Sequence, residues 1–142
     1  MEKKNKLHLE IGDWIQGCHK YQNGNSRLSP PMYVVGIWDS AVYLEIDTEQ
    51  GDPFEYEYED LVPIELTDEI LALNGILQDE TGCWEKVEKE GYFISFMPAS
   101  NSTYDVYITT NGTIDDHVNC RYVHQLQHFI NMSGIDKQIK LQ

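Results

Sequence analysis

The sequence predicts an α+β fold. A small SH3-like antiparallel β-barrel over residues 1–65 is followed by an α+β subdomain over 66–142, made of a helix, a second small antiparallel sheet and a C-terminal helix, with the two packed as one unit. Three observations point there. Five or six short β-branched and aromatic runs, punctuated by turn residues, fill the first 65 positions. The hydrophobic period then changes at Leu66-Thr67, and it returns to helical spacing near the C-terminus. A core is within reach, since 41% of the 142 residues are hydrophobic and 11% aromatic, and a chain of this length buries about 68% of its unfolded surface.

Taken in order, Leu7, Leu9 and Ile11 alternate with His8 and Glu10 and read as a strand, with Gly12-Asp13 turning into a second strand at Trp14-Ile15. Residues 22–31, rich in Asn, Gly, Ser and Pro, form a long loop that admits no helix or central strand and is expected to be mobile. Residues 33–38 and 42–46 make a hairpin around Asp39-Ser40. Phe54-Glu55-Tyr56-Glu57-Tyr58-Glu59 alternates, so one strand sets three aromatics on one face and three glutamates on the other. Leu61 to Ile64 closes the barrel. Thr67 is an N-cap, Asp68 and Glu69 suit the positive end of a helix dipole, Leu66 can staple onto Leu71, and Gly75 stops the helix. Residues 83–88, 91–97 and 104–108 read as strands, with Asn111-Gly112 as a two-residue turn. From Asn119 to Met132, Tyr122, Val123, Leu126, Phe129 and Ile130 recur at helical spacing, Gly134 caps, and residues 135–141 form a last strand.

The net charge is −14, from 24 acids and 10 bases, which argues against a grip on nucleic acid or anionic membrane through a broad basic surface. The charge is local. Residues 39–90 hold 17 acids against Lys86 and Lys89, and the remainder is nearly neutral. The densest part, Glu45, Asp47, Glu49, Asp52, Glu55, Glu57, Glu59 and Asp60, contains no base and is the candidate partner-binding face. Neither a secretory leader nor a membrane span is predicted, so the cytoplasm is the expected location. Three widely spaced cysteines, Cys18, Cys83 and Cys120, suit reduced thiols.

Ile11-Gly12-Asp13-Trp14 at the start, residues 60–67 leading into Ile70-Leu71-Ala72-Leu73-Asn74-Gly75, and residues 122–127 followed by Ser133-Gly134-Ile135-Asp136 together resemble a family of small proteins. The family occurs in gut Bacteroides-type bacteria and in their phages and mobile elements. The resemblance spans nearly the whole chain, departing at Ile76, where an aromatic is expected. It implies a mobile-element accessory protein that counters host defence. It implies no activity, cofactor or site, because the family has none assigned.

Other constellations compete. Cys120, His124 and His128, at i, i+4 and i+8 of the C-terminal helix, would share its wet face and are the candidate zinc ligands, with a plain polar stripe as the alternative. Asp47, Glu49 and Asp52 surround Gly51 without the spacing of a calcium loop. Arg27, Arg121, Trp38 and Tyr43 are the candidate residues for stacking and phosphate pairing with a small nucleotide-like ligand. No nucleophile phrase, P-loop or dinucleotide glycine pattern is present, so neither an enzyme nor a cofactor is predicted. The expected function is non-catalytic capture of a host protein or a small nucleotide-like signal, with homo-oligomers left open. The alternatives are an acidic nucleic-acid mimic, whose alternate strand glutamates would repeat at roughly the phosphate spacing, and a metal-dependent hydrolase.

Overall fold

A computed structural model of the chain describes residues 7–46, 52–89, 92–133 and 139–141, the side chains of 84–89 and 92 excepted. They fall into two compact units, 1–64 and 65–142. Both are built on antiparallel sheets, and two α-helices belong to the second. Among the described residues no helix is long and apolar enough to cross a membrane.

The first unit has β1 (Trp14–Lys20), β2 (Ser26–Leu28), β3 (Met32–Ile37), β4 (Ala41–Glu45), β5 (Phe54–Glu57) and β6 (Leu61–Pro63). The strands run β2-β1-β3-β4-β5, and β6 returns to pair with β1. One turn of 3-10 helix, Tyr58–Asp60, makes the return possible. The sheet therefore curls into a half-barrel around Leu9, Ile15, Met32, Val34, Val42, Leu44 and Leu61. Gly17 on β1 permits the curl. A Cβ there would lie 2.3 Å from the Tyr56 ring, so that ring from β5 rests on bare β1 backbone.

A bulge at Val35 sets which residues face outward. Val34 opposes Leu44, Gly36 opposes Tyr43 and Ile37 opposes Val42. Because Val35 is the extra residue, Val34 and Ile37 both reach the core side, while Tyr33 and Gly36 share the other.

Residues 7–11, expected as a strand, form no ladder. His8 adopts φ 54°, and Asp13 accepts the Glu10 amide on Oδ2 at 2.8 Å while its own amide bonds Glu10 O at 3.1 Å. A closed turn uses the backbone groups that a strand would pair, leaving Leu9 buried and Ile11 62% exposed. The polar loop 22–31 contains the short edge strand β2, opposite Cys18–Lys20. The alternating run 54–59 is a strand only to Glu57, and Tyr58 and Glu59 lie in the 3-10 turn.

The second unit has α1 (Asp68–Leu73), β7 (Leu77–Gln78), β8 (Trp84–Lys89), β9 (Tyr92–Ala99), β10 (Thr103–Thr110), β11 (Thr113–Cys120) and α2 (Val123–Met132). The sheet is a meander in the order β11-β10-β9-β8-β7. Thr67 caps α1 as expected, its Oγ1 accepting the Ile70 amide at 3.3 Å. Gly75 follows the helix at φ 75°. Leu66 and Leu71 are both buried. Asn111 (φ 50°) and Gly112 (φ 83°) form the expected β10–β11 turn. Ile94, Phe96, Tyr104, Val106 and Ile108 supply the buried side of the sheet, and Val123, Leu126, Phe129 and Ile130 that of α2. The Tyr104 hydroxyl donates to Asp68 at the start of α1. Gly134 and most of the expected strand 135–141 lie outside the described residues; Ile139 is buried, and residues 139–141 are not a strand.

Candidate functional site

Registers in the first unit bring acids and aromatics onto the face of the half-barrel opposite its core. Tyr33 stands across from Trp14 on one side and Glu45 on the other, and Tyr43 across from Glu55. The side chains follow that register. Trp14 and Tyr33 meet edge to face at 5.8 Å. The Tyr33 hydroxyl donates to Glu45 Oε2 at 3.2 Å, and the Tyr43 hydroxyl to Glu55 Oε1 at 2.9 Å. The bond from Tyr43 to Glu55, reinforced by the carboxylate charge, raises the phenol above its ordinary pKa, so the proton stays on the tyrosine. Glu57, exposed, opposes Ala41 further along the same pair of strands.

Trp38 occupies the β3–β4 turn and is 63% exposed. Its ring stands at 80° to that of Tyr43, with centroids 6.3 Å apart. The backbone beneath is pinned on both sides: Trp38 N donates to Ala41 O at 2.9 Å, and Trp38 O accepts the Tyr58 hydroxyl at 2.6 Å. Burial, with the charge of Asp39, raises the Tyr58 phenol pKa.

Of the eight acids expected on one face, three are gathered there. Asp47 and Glu49 lie outside the described residues, as does most of the 47–52 loop considered for calcium. Asp52 is exposed ahead of β5. Glu59 and Asp60 belong to the 3-10 turn, and Asp60 pairs with Lys20 at 3.3 Å. The correction has a backbone cause, because side-chain alternation ends where the strand does, and only Glu55 and Glu57 keep strand spacing on β5. Tyr33 and Gly36 join this face although neither is expected there from the sequence. The β-branched run across Val34-Val35 was the available signal, but the bulge that orders it leaves no composition mark.

The nucleotide candidates divide. Trp38 and Tyr43 come together, whereas Arg27 sits across from His19 in the β1–β2 hairpin and Arg121 belongs to the second unit. Arg121 contacts Glu65 at 3.3 Å and lies 5.4 Å from the Tyr122 ring centroid.

The expected zinc stripe is corrected as well. The C-terminal helix starts at Val123, not Asn119, so Cys120 is the last residue of β11. Cys120 and His124 are buried rather than wet. Burial pushes the Cys120 thiol up to about 12, which keeps it protonated at neutral pH. His124 lies flat against Tyr122 (5.9 Å, 11°) in the first helical turn, with the His128 ring edge-on at 5.7 Å. Helical periodicity misplaced Cys120 because a strand runs directly into the helix. Among the described residues no group of three or more His, Cys, Asp or Glu is disposed to hold a metal.

No family model, curated protein or solved structure matches this chain.

Proposed function

We propose that this chain is a non-catalytic binding protein that captures a protein partner with a basic surface, and that its first unit, an SH3-like barrel, supplies the docking face. The SH3-like reading draws on the connectivity: a three-strand meander, a single 3-10 turn, and a last strand that returns to the first. The observation that carries the function is the row of carboxylates interleaved with aromatics, Glu45 with Tyr33 and Glu55 with Tyr43, beside exposed Glu57 and Trp38. Aromatic area supplies contact, and carboxylates select and steer a positive partner. No Lys, Arg or His occurs between Arg27 and Lys86, so these strands bring no cation of their own to the face.

The sequence phrases that resemble a family of proteins of phages and mobile elements would make the partner a host protein, captured to counter host defence. Nucleic-acid mimicry draws less support, because the regular carboxylate ribbon is only two glutamates long on β5.

An oligolysine peptide is the simplest probe. It is expected to shift the amide resonances of β3, β4 and β5 at about 0.1 M salt and to dissociate at about 1 M, as the Debye length falls from about 10 to about 3 Å. Combining Glu45→Gln, Glu55→Gln and Glu57→Gln is expected to weaken binding about tenfold, each surface pair contributing up to about 1 kcal/mol. Undiminished binding by that variant, or shifts confined to the second unit, would reject the docking face.

A further inference from the structure

We propose that Trp38, Tyr43 and Glu55 form a corner that binds a guanidinium group, and that the side chain it takes is an arginine of the basic partner. This rests on the reading of the sheet face as a docking surface and adds to it a specific anchor.

Three features set the corner apart from a chance surface tryptophan. Trp38 is displayed rather than buried, at 63% exposure, and it takes no part in the apolar cluster of the first unit. It is nevertheless held: its amide and carbonyl are bonded to Ala41 and Tyr58, and its ring stands at 80° to Tyr43. The backbone that carries the ring therefore has little freedom to lose on binding. The floor is also small. Gly36 faces Tyr43 across the ladder, and a Cβ at Gly36 would already stand in van der Waals contact, 3.4 Å from Tyr43 Cβ and Cδ2 and 3.6 Å from Trp38 Nε1. A methyl fits there, whereas the branches of a larger side chain would reach toward both rings, at the point where the bulge turns Gly36 outward.

Two ring planes near a right angle, with a carboxylate at the rim, suit a flat cation. The Tyr43 hydroxyl bonds Glu55 through Oε1 and so fixes the carboxylate beside the rings. A guanidinium can stack on an indole face while its forked N–H groups reach a carboxylate, whereas an ammonium offers charge without the flat face. Asp39, next to Trp38, and Glu57, opposite Ala41, add negative potential on either side.

The test compares two short acetylated peptides of equal charge, one carrying arginines and the other lysines in a glycine background. They are titrated into the full chain and followed through the backbone amide resonances of β4 and β5, which every variant retains. The arginine peptide is expected to bind about threefold to fivefold tighter, the size of an exposed cation–π contribution. Trp38→Ala is expected to erase that preference, bringing the arginine peptide down to the affinity of the lysine peptide. Gly36→Val keeps every charge but crowds both rings, and it is expected to erase the preference too. Equal binding of the two peptides by the wild type, insensitive to Trp38→Ala yet lost in the triple glutamine variant, would overturn the arginine anchor and leave the docking face standing. No binding of either peptide would overturn both.

Discussion

At the scale of single residues, two positions carry much of the account. Gly17 is where the first unit closes on itself, since a Cβ would come within 2.3–2.7 Å of three Tyr56 ring atoms. Gly17→Ala is expected to destabilise the unit by about 1–3 kcal/mol through overpacking. Tyr56→Ala removes the obstructing ring, so adding Gly17→Ala to it should cost far less than in the wild type; urea unfolding of the four proteins in that cycle reads the coupling. Cys120 makes the second prediction. Its thiol is raised from 9.0 to about 12 by burial, so the native state keeps a proton that the unfolded chain releases. Its contribution is complete below pH 9 and is lost as pH rises toward the native value. Between pH 9 and 10.5 the wild type should lose about 2 kcal/mol more than Cys120→Ala, measured as the difference in pH slope of denaturant unfolding. Tyr104, raised by burial and by its bond to Asp68, acts in the same direction above pH 10.

Among the elements, those with short-range signals were legible in the sequence. The Thr67 cap, the Gly75 stop, the Asn111-Gly112 turn and the Asp39-Ser40 hairpin each follow from the chemistry of two or three neighbouring residues. What escaped depends on distant partners. The turn at 7–13 defeats a plain alternating pattern because Asp13 bonds back to Glu10. The abrupt join of β11 to α2 at residues 120–123 moved Cys120 off the helix and into the core, and with it the metal reading. On the candidate site, the aromatic and acidic residue types were visible, but the pairing of Tyr33 with Glu45 and the role of Gly36 required the bulge. Asn74 is a further long-range case. Its side-chain Nδ2 donates to Lys140 O at 2.8 Å, and its Oδ1 accepts the Lys140 amide at 2.7 Å, so one amide imitates a strand partner for the C-terminal segment. Asn74→Ala is expected to cost about 1–3 kcal/mol and to speed hydrogen exchange at the Lys140 amide, while amides of β10 are less affected.

For the whole molecule, the net charge of −14 resolves into a local feature. Three glutamates of the acidic stretch share one face with aromatics, others lie in a turn, and Asp60 already pairs with Lys20. On the proposed reading a face of this composition would steer a basic partner at long range and hold it through ring contacts at short range, so association should be fast at low salt and slow steeply as salt is added. The most direct measurement pairs two affinity captures from a cell lysate, one on the wild type and one on the chain with Glu45, Glu55 and Glu57 changed to Gln, each at about 0.1 M and about 1 M salt. The expected result is a partner of basic surface that is retained only by the wild type and only at low salt. A partner held equally by both chains, or held through high salt, would contradict it.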